Sequence, residues 1–180
     1  MLNKPRGLVT TAADEHSRDT VYRCLDGAGL PWLAPVGRLD KASEGLLLFT
    51  NDPVWAACIT APEAALDKTY HVQIDRLPDE GFLERIANGS DSRVLDLSPK
   101  SVRCLRRGAK NAWLEIVLDE GRNRHIRRLL AAVDAAVLRL VRVAIGSLPL
   151  GDLGRGQWRE LGEDEIQRLK PAAAPPPARP

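Results

Sequence analysis

The sequence is poor in the residues that staple small secreted proteins. Its three cysteines, Cys24, Cys58 and Cys104, are odd in number, far apart and without a CxxC spacing. That pattern indicates neither a disulfide framework nor a structural zinc site, and reads as reduced thiols. Long apolar runs are missing too: nothing approaches the ~18 residues of a membrane span. The opening Met1-Leu2-Asn3-Lys4-Pro5-Arg6-Gly7 lacks the apolar centre of a signal peptide. A soluble, cytoplasmic protein is expected. An excess of one charge is also lacking, since the formal net charge is only +2, so overall charge says little about partners.

What is present is an ordinary globular composition, 44% hydrophobic and 28% charged over 180 residues. That suffices for one well-buried core, or two small lobes sharing one, and excludes two large domains. The bases are unevenly spread: nine Lys or Arg stand between Lys100 and Arg128 against Glu115, Asp119 and Glu120. Such a stretch suits a polyanion and reads equally as a solvated face.

The chain is organised around Gly37 to Asp52, GRLDKASEGLLLFTND. A buried strand over 45–50 is entered through a polar turn carrying Arg38, Asp40, Lys41, Ser43 and Glu44. A carboxylate at the lip of a hydrophobic strand is well placed for chemistry; a turn Asp that caps backbone N–H groups gives the same pattern. Asn3 to Gly7 reads as a turn and Leu8 to Thr11 as a short β-prone run. Thr20 to Leu25 reads as a short helix. Pro53 to Thr60 reads as a helix capped by Asp52, with Trp55 in the core.

Lys68 to Asp75 alternates, with Tyr70, Val72 and Ile74 on one face. A helix over 78–87 ends at Asn88-Gly89, and strands are expected over 101–105, 112–118 and 137–145. Leu148 to Leu161 is a glycine-punctuated apolar segment that should wrap the core, followed by a last short helix over 163–169. From Gly121 a turn becomes a helix whose Ile126, Leu129, Leu130 and Val133 form one stripe, with Arg124, Arg127 and Arg128 opposite. Arg127 sits at the edge of that stripe, where a half-buried guanidinium needs a carboxylate. His125 reads as a surface or phosphate contact, with no other ligand type at metal-binding spacing beside it. Residues 171–180 are Ala and Pro apart from Arg179, a tail too poor in large apolar residues to order itself.

Taken together, Asn3-Lys4-Pro5, GRLDKASEGLLLFTND, Lys68-Thr69-Tyr70, EGRNRHIRRLL from Glu120, and Leu148-x-Leu150 leading into Gly156-x-Trp158-Arg159-x-Leu161 resemble the RsuA-type family of ribosomal-RNA pseudouridine synthases. The match spans residues 1 to 162 in order. Two positions depart from the family pattern: Pro53 stands for the usual glycine and His125 for the usual glutamine. Many members carry an N-terminal S4-type RNA-binding domain. This chain resembles the shorter members that act on large-subunit rRNA with the catalytic domain alone.

The resemblance implies an α+β fold, a mixed and largely antiparallel sheet with flanking helices and a central catalytic cleft. It implies one catalytic domain over residues 1–170, in two sublobes sharing one sheet. It implies an enzyme that converts a uridine in rRNA to its C-glycoside isomer with no metal and no cofactor, working as a monomer on rRNA or a ribosome assembly intermediate. Asp40 matches the catalytic aspartate, Tyr70 the active-site tyrosine and Arg127 the arginine that pairs with that aspartate. Arg38, Lys68, Arg122, Arg124, His125 and Arg128 are the expected RNA contacts. A rival reading is a non-catalytic RNA-binding or ribosome-assembly protein that keeps the fold. Asp40, Tyr70 and Arg127 together favour the enzyme, because a carboxylate in a groove that binds phosphate would only repel it.

Overall fold

The computed structural model describes residues 1–61, 66–89, 98–119 and 124–170. The expected tail over 171–180 and the proposed contact Arg122 lie outside them. The central strand forms as the apolar run requires: β3, Glu44–Thr50, is buried from Glu44 through Leu48. Two short strands missed by the sequence reading flank it, β1 (Leu2–Lys4) and β2 (Ala34–Val36), both antiparallel to β3. Of the opening expected as a turn over Asn3 to Gly7, Asn3 and Lys4 are strand and Arg6-Gly7 is the turn. Leu8 to Thr11 contributes only an isolated bridge, Val9 to Thr20. Three residues of β1 carry too little periodicity to register in a window, and their strand state comes from pairing with β3.

Further along come β4 (Lys68–Ile74), β5 (Ser101–Arg107), β6 (Ala112–Leu118), β7 (Val137–Ile145) and β8 (Leu148–Pro149). All join one sheet of order β1-β3-β7-β4-β6-β5, with β2 added on β3 and β8 on β7. Only β3 and β7 pair in parallel; the other pairs are antiparallel. The architecture is α+β, as the resemblance implies.

Helix α1, Pro53–Thr60, starts where Asp52 accepts from the backbone of Val54 and Trp55, and α2, Glu80–Ala87, where Asp79 accepts from Phe82. Helix α3 spans His125–Ala131 and α4 spans Glu163–Arg168. Because side chains alternate across a strand, β3 faces two cores. Leu47 joins Tyr70, Val72 and Ile74 with residues of α2 and α3, while Leu46 and Leu48 join Trp55, Ile59 and Leu169. The 148–161 segment does wrap: Asn3 donates to Gln157 across the backbone at 2.9 Å, and Leu2 bridges Trp158. No helix among the described residues is long and apolar enough to cross a membrane.

Candidate active site

The register brings four residues of interest into one row across the sheet. Lys4 pairs with Gly45, Gly45 with Arg142, and Arg142 with Tyr70. Strand alternation puts all four on the side of Leu47 and Val72. Gly45 is required here: its φ is +100° and a Cβ would collide with the Arg142 backbone carbonyl. The glycine that opens the apolar run is thus what lets β3 and β7 close up in parallel.

Asp40 stands on the turn leading into β3, and its side chain is about one-third exposed. The turn is anchored from below by Lys4. This lysine is completely buried, and its Nζ donates to the carbonyls of Ser43 at 2.8 Å, Pro5 at 3.1 Å and Asp40 at 3.2 Å. Burial pushes its pKa down to about 8, against the smaller opposing pulls of Cys24, Glu44 and Asp40. An ammonium that donates to three carbonyls is satisfied in hydrogen bonds yet carries a poorly compensated charge. The sequence reading quoted Asn3-Lys4-Pro5 without giving Lys4 a task. No sequence signal marks that task, because the parity of Lys4 with Leu2 has meaning only once β1 is known to be a strand.

The arginines of α3 meet this turn in a different order from the one expected. The ion pair on Asp40 comes from Arg124, Nη1 to Oδ2 at 3.7 Å. Arg127 instead donates from Nη2 to the Ala42 carbonyl at 3.2 Å, while its Nε is buried without a partner. Arg127 is half-buried, as its place on the wheel predicted. Burial, then the like charge of Arg124, lowers its pKa, and Asp40 acts on it as an attractive charge. The difference follows from the backbone: Arg124 adopts φ 50° at the entrance to α3, and its exposed side chain takes the near position over the carboxylate. Arg127, one turn into the helix, reaches under it.

His125 is corrected outright. It is 6% exposed and belongs to the buried stripe of α3 with Ile126, Leu129 and Leu130, one turn before Leu129. The wheel drawn from Ile126 onward put the stripe edge one residue too late, and a buried ring is no phosphate contact. Arg38 and Arg128 are exposed. Lys68 is half-buried and its Nζ donates to the Asp119 carbonyl at 3.1 Å. Tyr70 is 8% exposed, within the core of the sheet.

The basic stretch does not act as one surface. Lys100 is held by Asp67 at 2.7 Å and Arg103 by Glu115 at 2.6 Å, and Arg106 lies over the Trp113 ring at 5.1 Å. A cavity of about 390 Å³ opens at the far end of β3, lined in part by Phe49, Trp55 and Trp158. It contains none of the expected site residues.

The site thus gathers a partly exposed carboxylate, a buried lysine that fastens its turn and two arginines, beside the sheet row that holds Tyr70. Residues 1–132 match the family model for RNA pseudouridylate synthase. The chain belongs to that family. It is 37% identical to the ribosomal large subunit pseudouridine synthase E of Xanthomonas campestris pv. campestris, over 96% of this chain and 98% of that protein. It is also 37% identical to the Vibrio parahaemolyticus protein of the same name, over 79% of this chain and 70% of the other. A crystal structure of a pseudouridylate synthase superposes with a TM-score of 0.79 at 31% identity, covering 93% of this chain and 71% of that one. This pseudouridine synthase therefore has the fold and the isomerase activity that its motifs implied, with RNA as its substrate class.

Proposed function

We propose that this pseudouridine synthase isomerises a uridine of large-subunit rRNA, with Asp40 as the essential carboxylate. The observation that supports the reading is the fastening of the Asp40 turn by Lys4, whose Nζ holds the Asp40 and Ser43 carbonyls and which lies in the sheet row that also bears Tyr70. The names of the two curated relatives support the large-subunit target, and that target belongs to the cytoplasm.

The reaction breaks the C1′–N1 bond and joins C1′ to C5. An ionised Asp40 serves either as nucleophile on C1′ or as the base that removes a sugar proton; both routes begin from the same carboxylate. Arg124 holds it from the solvent side and Arg127 from beneath its turn. Tyr70 supplies the flat face for a uracil taken out of its stack, and a phenol within reach of the C5 proton late in the reaction. Extrusion of the base costs a few kcal/mol, which stacking and phosphate contacts recover. Arg38, Lys68, Arg122 and Arg128 are proposed for those contacts, which position the RNA without choosing the uridine.

The test is carbodiimide mapping of pseudouridine in large- and small-subunit rRNA incubated with the enzyme. Modification confined to large-subunit rRNA supports the reading. Product found only in small-subunit rRNA, or in neither, contradicts it.

A further inference from the structure

The row that holds Lys4, Gly45 and Tyr70 contains one residue without a task. Arg142 is only 6% exposed. It is the register partner of Gly45 on one side and Tyr70 on the other, and it shares their face because Leu140, two residues earlier, packs into the same core. Its Nε donates to the Leu46 carbonyl at 2.7 Å, while its Nη2 is buried with no hydrogen-bond partner. No ion pair among the described residues involves it. Glu44, the neighbour of its register partner Gly45, projects from the opposite face and is taken by Arg139 and Arg155.

A buried guanidinium donor with no acceptor is rare in a folded protein and calls for a reason. An aliphatic residue would fill an interior sheet position without that cost. The Leu46 contact satisfies Nε and leaves Nη2 without an acceptor among the described residues.

We propose that Arg142 is a further catalytic residue, whose Nη2 donates to a uracil carbonyl oxygen and stabilises the base as it leaves. The proposal rests on the reading of Asp40 and Tyr70 above. When C1′–N1 breaks, the bond's electron pair goes to uracil N1 and spreads onto the O2 and O4 carbonyls. The ring then turns and C5 bonds to C1′, releasing the Asp40 carboxylate from C1′ on the nucleophilic route or taking the sugar proton back on the glycal route. C5 then gives up its proton and N1 takes one up, so the ring ends neutral. Arg142 keeps its proton throughout; its hydrogen bond strengthens only while the free ring carries negative charge. A donor fixed in place before charge develops is what lowers such a barrier. Lys4 does not fill this role, because its ammonium is committed to three backbone carbonyls.

The experiment is single-turnover tritium release from 5-tritiated uridine in large-subunit rRNA, with filter-binding affinity and melting temperature measured in parallel. The proteins are wild type, Arg142→Gln and Arg142→Lys, with Asp40→Ala as the inactive control. Arg142→Gln should lose on the order of a hundredfold in rate, a typical loss for one such donor, with RNA affinity within about twofold. Should that variant fail to fold, Arg142→Lys decides. It keeps the charge and a donor for Leu46, cannot serve both acceptors, and should be roughly tenfold slower at unchanged affinity and melting temperature. A folded variant at the wild-type rate overturns the proposal, as does a rate loss matched by equal loss of affinity and melting temperature. Wild type that releases no tritium from any rRNA would instead overturn the reading beneath it.

Discussion

The two faces of the sheet treat positive charge in opposite ways. On the face away from Tyr70, every arginine described in the β4–β7 region is answered. Arg103 pairs with Glu115, which also lies 3.4 Å from His71. Arg139 and Arg155 share Glu44 at 2.9 and 3.4 Å, and Arg106 and Arg139 lie over the Trp113 ring. Burial alone would raise the Glu44 pKa, and the two arginines overcome it, leaving the carboxylate below its usual range. On the Tyr70 face Lys4 and Arg142 are buried, Arg127 is half-buried, and these cations meet carbonyls rather than carboxylates. Asp40 is paired with Arg124, and its charge also acts on Arg127. One face pairs its cations with carboxylates and an aromatic ring; on the other, buried cations meet backbone carbonyls.

Three variants and one pH profile break or sharpen that contrast. Gly45→Ala should be the most damaging, because it forces a Cβ onto the Arg142 carbonyl and occupies a φ of +100°. A loss of about 3 kcal/mol or more is expected in urea denaturation. A normal midpoint would mean that β3 and β7 can separate without consequence. Arg127→Ala should slow tritium release by about a hundredfold, with a stability loss of about 1 kcal/mol from the missing Ala42 contact. Normal turnover would remove Arg127 from the site.

Glu44→Gln should do the reverse, costing about 1–2 kcal/mol because its arginines are partly exposed, with turnover unchanged in the folded enzyme. The sign with pH follows from its depressed pKa. The stability that ionised Glu44 contributes is fully present above the unfolded value of about 4.3 and is lost as pH falls through the folded value. Wild type and variant should therefore converge in acid, and a gap that persists there would contradict the ion-pair account. The smallest effect is that of Lys4. With a folded pKa of about 8, it sheds its proton before the unfolded chain does. Its charge therefore penalises folding below pH 8, and its contribution to stability rises from there to about 10.4. Its charge-assisted bonds to the Asp40 and Ser43 carbonyls weaken over the same range, so turnover should drop severalfold above pH 8 while the Lys4 contribution to stability rises. Melting temperature and rate falling together would reject that separation.

Much of this was legible beforehand because it is local. The Asp52 cap, the alternation of Lys68 to Ile74 and the apolar run after Gly45 each act within one element, and each appears in the structure where the pattern puts it. Asp40, Tyr70 and Arg127 were marked by motif, and the fold brings their elements to one place. What escaped depends on pairing. β1 is a strand only because β3 lies beside it. The burial of His125 depends on where α3 begins, at a left-handed Arg124 no periodicity shows. The preference of Asp40 for Arg124 over Arg127 depends on how a turn sits over a helix. Arg142 looked like one of several bases in a strand until the register set it between Gly45 and Tyr70.

The account stands or falls on whether chemistry runs from a single carboxylate held on the Tyr70 face. Single-turnover tritium release from 5-tritiated uridine in large-subunit rRNA, wild type beside Asp40→Ala at matched RNA occupancy, tests it most directly. The account predicts release by wild type, release below detection in the variant, and RNA affinity unchanged or slightly tighter once the carboxylate is gone. Release by Asp40→Ala at a rate near that of wild type would contradict it.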